Sequence, residues 1–562
     1  MELLDSRRLT GPNVLTDDPA AIIDVRLGED ERAGFVAAWR EQAQRMLDAV
    51  GWTASRLCER RVTGGVSLGF TAPVDALYAA TDLNDWAFEA ASRRLRDEPE
   101  PPLEAAAGHL AEAIARERRP RLLELVDAAR ARDLPVLLDD DAVSIGYGRR
   151  SRTWPIADLP TLEGVPWETL GEIPVGLVTG TNGKTTTVRL AAAMLRAAGL
   201  RAGLSSTDQI AVDDEILEQG DYSGPGGARA VLRDPRVDAA VLETARGGLL
   251  RRGTAMTRAR AAVVTNIAAD HLDDFGVSDL EALADIKWLV TRPLGTRGIA
   301  VLNAEDPRLV ARAADLAGPV SWFSRNPAHP VLAAHRAAGG VCWTVDDGRF
   351  LRTGPDGKVA LCAVAEAPVT LGGSALHNVS NCLAAAALAH ALGVCDEAIA
   401  EALRRTTDRA NPGRCNLFAV GGATVLVDFA HNPHGVDALA PVVEHYGSQR
   451  RILVLGQAGD RGDEAIRKLA RAAWRLRPDR LVLKEMGHYA RGRQPGEVAG
   501  ILRESFVAAG ADPAGIEYVE GELDAVRAAI ALARPGDLVV ALVHEDVTAV
   551  VELVERLAAS GA

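Results

Sequence analysis

The run Gly180, Thr181, Asn182, Gly183, Lys184, Thr185, Thr186 has the composition of a phosphate-binding turn. Two glycines permit a tight turn whose backbone N–H groups face an anion, Lys184 supplies a cation, and the Thr185 hydroxyl can ligand Mg²⁺. Only two residues separate the glycines. The pattern is therefore shorter than G-x-x-x-x-G-K-[ST] and sets the chain apart from ordinary P-loop NTPases. ATP with Mg²⁺ is the ligand pair that this loop predicts.

Three more positions could join that chemistry. Glu243 closes the apolar run VDAAVLE, where a carboxylate would emerge beside the loop and hold a hard cation; a solvated or capping glutamate would read the same way. His271 follows the strand-like AAVVTNI and lands on the same edge, although a single histidine there is more often structural. The segment SDLEALADIKWLV opens with a capping box from Ser278 to Glu281 and places Leu280, Leu283, Ala284 and Lys287 on one helix face. A buried Lys287 would favour its neutral amine, the form that reacts with CO₂ to give a carbamate; a lysine that snorkels to water is the other reading.

The elements that must carry these groups are an alternation of short apolar runs with helical patterns from about residue 172. This βαβα rhythm predicts an α/β fold with a largely parallel sheet. Strands are expected at 173–180, 238–245, 260–267 and 298–305, each ending in polar residues, and a helix follows the loop and stops at Gly199. Residues 320–370 predict a β-rich flank. A second, Rossmann-like block starts near residue 411, with strands TVLVDFA, RILVLG, DRLVLKE and GDLVVALV and a helix at 463–476. The expected organisation is an N-terminal α+β module at 1–165, a central nucleotide-binding domain at 166–410 and a C-terminal domain at 411–562, as a chain of 562 residues allows. A helical stretch at 102–132 and the extended PVLLDDDAVSIGYGRR belong to the first module.

Composition narrows the classes. The 63 basic against 77 acidic residues give a net charge of −14, which argues against nucleic acid as a partner. Six cysteines without a C-x-x-C pair point to neither zinc nor a disulfide framework, and fit a reducing cytoplasm. The opening MELLDSRRLTGPN lacks an apolar h-region and no run approaches the roughly 20 apolar residues of a membrane helix, so a soluble protein is expected.

Taken together, GTNGKTT, EQGDYSGPGGARAVLRDPRVDAAVLETARGGLLRRG at 218–253, PGRCNLF at 412–418, VDFAHNPHG at 427–435 and GDRGDEAIR at 459–467 resemble the Mur ligase superfamily, and within it the Mur-like half of the cyanophycin synthetases. The resemblance runs from about residue 172 to the C-terminus. It implies that Lys184 and Thr185 contact phosphates and Mg²⁺, that Glu243 and His271 bind metal, and that Lys287 matches a carbamylated lysine. It places Asn303 and Asp306 near adenine, Asp428 at the ribose and Arg414 at the γ-phosphate, and it includes Asn378 and Asn381 in a matching segment without a role. RRLTGPNVL and DDDAVSIGYGRRSR resemble the opening of a cyanophycin synthetase and the junction before its ATP-grasp domain, yet the Mur-like part begins almost at once, so that domain is expected to be missing.

The implied activity is amide ligation through an acyl phosphate. The carboxylate would come from an amino acid or peptide and the amine from an amino acid, with arginine the first candidate. Arg491 and Arg493 in KEMGHYARGR offer carboxylate clamps, or a solvated basic loop. A homo-oligomer is implied by the family. The rival expectation is a nucleotide-regulated peptide-binding accessory protein without ligase activity.

Overall fold

The computed structural model describes residues 1–270, 277 and 279–560. The expected helix-and-strand alternation builds an eleven-stranded central sheet. Seven strands run parallel in the spatial order Ala202–Ser205, Ala239–Glu243, Val175–Thr179, Ala261–Val264, Ile299–Asn303, Val320–Ser324 and Cys342–Asp346. An antiparallel hairpin extends each end. The β-rich flank expected at 320–370 supplies the strands at one end of this central sheet.

Strand Val175–Thr179 has later strands on both sides, and this reversal of direction opens a crevice at the carboxyl ends. Alternation along the strands divides the core. Val178, Val241, Val263 and Val301 face helices Lys184–Ala197, Leu376–Ala391 and Asp396–Arg405. Leu177, Leu242, Val264 and Leu302 face the opposite layer, which includes helices Pro225–Arg233 and Leu280–Trp288. Helix Leu280–Trp288 is capped by Asp279, whose carboxylate accepts from the Ala282 amide at 2.8 Å. The helix therefore starts one residue later than the expected capping box, whose Ser278 lies outside the described residues.

The C-terminal sheet has six strands in the order Asn416–Val420, Ala423–Asp428, Leu538–Leu542, Arg451–Leu455, Arg480–Lys484 and Ile516–Val519, parallel except for the first pair. At the other end of the chain, an antiparallel four-stranded sheet packs on helices Glu29–Ala49 and Leu77–Leu95 around Phe35, Trp39 and Phe70. The helical stretch at 102–132 breaks at Pro120, which opens helix Pro120–Ala131 as its first residue. A small three-stranded sheet over 136–155 follows, and its Ser144 hydroxyl accepts from Arg233 of the central domain at 2.7 Å. Residues 156–174 hold only two short 3₁₀ turns, so the N-terminal module passes directly into the central sheet. Among the described residues no helix is long and apolar enough to cross a membrane.

Candidate functional site

The carboxyl ends of the central and C-terminal sheets face one cleft of about 1340 Å³. Thr181 through Thr186, Glu243, Lys287, Asn303, Asp306, Arg414 and Asp428 all line it, as do Asn378, Asn381 and Arg491. The predicted His271 lies outside the described residues.

Chain geometry makes the loop glycine-dependent. Gly183 caps helix Lys184–Ala197 in the left-handed region at φ 84°, and a Cβ there would overlap the Asn381 side chain. A Cβ on Gly180 would overlap the Thr265 hydroxyl. The loop is held by the neighbouring strand end: Asn182 N–H donates to Asn266 Oδ1 at 3.0 Å, and Thr265 Oγ1 and Asn266 Nδ2 donate to the Asn182 carbonyl at 2.7 and 3.0 Å. Lys184 Nζ donates to the Thr181 carbonyl at 3.1 Å and stays over the turn.

Glu243 is buried at the end of its strand, not solvated. Its two oxygens accept from Thr185 Oγ1 at 2.8 Å and from Thr207 Oγ1 and N–H at 2.6 and 3.2 Å. A buried carboxylate held by neutral hydroxyls and an amide presents hard oxygen donors. That donor set fits Mg²⁺, with Thr185, Thr207 and Glu243 as the holding groups. Among the described residues no cluster of three His, Cys, Asp or Glu side chains forms a metal site. Lys287 does not snorkel: it is 4% exposed and donates to the Gly180 carbonyl at 2.7 Å. Burial, reinforced by the nearby Lys184 ammonium, holds its amine well below the usual lysine range.

At the far wall, Asn303 and Asp306 are both engaged in shaping the backbone. Asn303 Nδ2 donates to the Thr265 carbonyl at 3.0 Å, and Asp306 accepts from the Ile267 and Arg308 amides at 2.6 and 3.0 Å. Asp428 similarly accepts from Cys415 and Ala430 amides, both at 2.8 Å. Arg414 lies 4.3 Å over the Phe429 ring, which orients its guanidinium. The two basic residues offered as clamps separate. Arg491 lines the cleft, whereas Arg493 is tied to Asp463 and Glu497 at 2.8 and 2.7 Å and is not part of the lining.

Several contacts at the site carry no expectation of their own. Asn182 and Asn432 exchange amide hydrogen bonds of 3.2 and 3.0 Å and join the loop to the C-terminal domain. Asp270 meets His431 and Asn432, each at 3.1 Å. Thr207 follows the short strand Ala202–Ser205, whose few apolar residues give little signal. Asn266 was readable as a polar strand end, and His431 and Asn432 stand inside the quoted VDFAHNPHG.

A twisted parallel sheet with a short glycine loop at its switch point, facing a second α/β domain across a shared cleft, is the two-domain core of the Mur ligases, and this chain belongs to that family. The Mur ligase middle domain matches residues 178–389, and the Mur ligase, glutamate ligase domain matches residues 413–542. Relatives include cyanophycin synthetase of Crocosphaera subtropica, 36% identical over 70% of this chain and 44% of the relative. UDP-N-acetylmuramyl-tripeptide synthetase of Roseiflexus sp. is 33% identical over 65% of this chain and 72% of the relative. The chain thus spans less than half the length of the cyanophycin synthetase it matches. In fold it resembles E. coli FolC in complex with ADP, with a TM-score of 0.51 and 20% identity over 68% of this chain and 89% of the other.

Proposed function

We propose that this chain is an ATP-dependent ligase that joins a carboxylate of an amino acid or peptide to an amino-acid amine. The observation that carries this reading is the convergence of loop, buried carboxylate, buried lysine and arginine on one cleft between two domains. The substrate carboxylate oxygen attacks the γ-phosphorus of ATP, the bond to the β-phosphate oxygen breaks, and ADP leaves an acyl phosphate. The amine then attacks the acyl carbon, phosphate departs with the bonding pair, and the amine loses a proton.

In this reading the loop amides and Lys184 cradle the phosphates, and Lys184 and Arg414 balance the charge that develops on the transferred group. Mg²⁺ held by Thr185, Thr207 and Glu243 would supply charge neutralisation at the phosphate oxygens. Lys287, as a neutral amine, is proposed to add to CO₂ and lose a proton, giving a carbamate oxygen beside the loop; His271 is proposed as a further metal-binding group. Asn303 and Asp306 shape the adenine wall, and Asp428 the ribose end. Arg491 is the clamp proposed for the carboxylate of the incoming amino acid, with arginine the first amine to test.

Incubation with ATP, Mg²⁺ and pooled amino acids and dipeptides, read by mass spectrometry, tests the proposal. The expected product lies one water below the summed mass of a pair and disappears in Lys184→Ala. A product undiminished in that variant overturns the mechanism. ADP formation that never rises with any pair would favour the nucleotide-regulated binding protein.

A further inference from the structure

Arg414 shares its surroundings with a second, hidden arginine. Arg189 stands on the phosphate-loop helix one turn beyond Thr185, with its side chain 11% exposed, and is not part of the cleft lining. Its Nη2 donates to Asp208 Oδ2 at 2.8 Å, and its Nη1 donates to Asn411 Oδ1 at 3.4 Å. Asn411 in turn donates to the Thr186 hydroxyl at 2.9 Å, so the start of the C-terminal domain is bolted to the loop helix. Asp208 follows Thr207, which holds Glu243. The other oxygen of Asp208 lies 4.0 Å from Arg414 Nη2, too far for a hydrogen bond.

One carboxylate therefore stands between two guanidiniums and is committed to one of them. We propose that Arg189 is a positioning residue for Arg414: by occupying Asp208 it leaves the Arg414 cation available to the γ-phosphate. This rests on the ligase reading of Arg414. Without Arg189, the nearest countercharge to Asp208 is Arg414, and a bidentate guanidinium–carboxylate pair would draw it out of the cleft. Removing the carboxylate as well takes away that competitor. The inference thus predicts rescue of one substitution by a second, which loss of packing at a buried arginine would not produce.

The test needs no knowledge of the amide substrates. Binding of ADP and of AMPPNP, each with Mg²⁺, is measured calorimetrically on the full chain for wild type, Arg414→Ala, Arg189→Gln and the double variant Arg189→Gln/Asp208→Asn, with thermal unfolding as the check on folding. The wild type is expected to prefer AMPPNP, and Arg414→Ala to lose the preference. Arg189→Gln is expected to weaken AMPPNP by about tenfold and ADP by less than about twofold, and the double variant to recover AMPPNP affinity to within about threefold of wild type. Absence of a preference in the wild type, or its survival in Arg414→Ala, overturns the placing of γ-phosphate at Arg414 and the inference with it. A preference lost in Arg414→Ala but kept in Arg189→Gln overturns the inference alone. So does a double variant as weak as Arg189→Gln, or an Arg189→Gln protein that fails to fold while the double variant fails with it.

Discussion

Two lysines buried at the edges of the two sheets meet opposite surroundings. Lys484 ends a strand of the C-terminal sheet and is ion-paired with Glu522, whose oxygens also accept from the His544, Glu545 and Asp546 amides at 2.6, 3.0 and 3.0 Å. Lys287 of the central domain donates to the neutral Gly180 carbonyl. Burial lowers the pKa of both lysines. At Lys484 the Glu522 carboxylate opposes that shift at hydrogen-bond range, while at Lys287 the neighbouring Lys184 deepens it. The first arrangement locks a loop: the His544 ring, fixed by that loop, places Nε2 3.1 Å from the Ala430 carbonyl, next to the Phe429 that orients Arg414. The second leaves an amine held by a neutral carbonyl, and that amine is the group for which carbamate chemistry is proposed. Burial alone does not make a lysine reactive; the partner decides.

The strongest challenge to this contrast is Glu522→Gln, which leaves Lys484 buried without its ion-pair partner. It is expected to cost about 3–5 kcal/mol in denaturant unfolding, against no comparable loss at a lysine without a paired carboxylate. The sign with pH follows from Glu522 itself. Burial raises its pKa, but Lys484 and the backbone donors outweigh burial, so the folded value lies below the ordinary 4.5. Its stabilisation is fully present above about pH 4.5 and is lost as pH falls through the folded value, so the gap between wild type and Glu522→Gln should close on acidification. A gap constant with pH would show that the pair is not what holds the loop.

Lys184→Ala should lower substrate-dependent phosphate release by about 10²–10³-fold with little change in unfolding midpoint, placing the chemistry on the central side of the cleft. Gly183→Ala forces a side chain into the left-handed region against Asn381; a loss of about 1–3 kcal/mol in AMPPNP binding is expected by calorimetry. Asn432→Ala removes the amide exchange with Asn182 that joins the two sheets' edges, and about 0.5–1.5 kcal/mol of nucleotide affinity should go with it. Arg493→Ala should leave the KM of the amine within about twofold, since its guanidinium is spent on Asp463, Glu497 and the Gly459 and Arg461 carbonyls and does not itself line the cleft.

Much of the site was legible because local pattern carries it. An apolar strand ending in a carboxylate marked Glu243 and glycine spacing marked the loop, since a left-handed turn at Gly183 admits no ordinary side chain, whereas Asn303, Asp306, Arg414 and Asp428 were named only through the family resemblance. Thr207 and Asp208 escaped because they lie in a turn after a strand of only four residues. The Asn182–Asn432 exchange joins positions 250 residues apart and leaves no local trace. Arg491 and Arg493 were indistinguishable two residues apart; Asp463 and Glu497, from a neighbouring helix and the next one, draw Arg493 away.

By itself the sequence determined the alternation of strands and helices, the glycine loop around Lys184 and the helix face that carries Lys287, because each depends on periodicity or on backbone sterics within one element. Long-range packing sets Lys287 against a carbonyl and Lys484 against a carboxylate, brings Arg491 but not Arg493 to the cleft, and puts Arg189 behind Arg414. Those outcomes are set by charges and dipoles that segments remote in the chain bring within a few ångströms, where the electrostatic balance of a buried group is fixed.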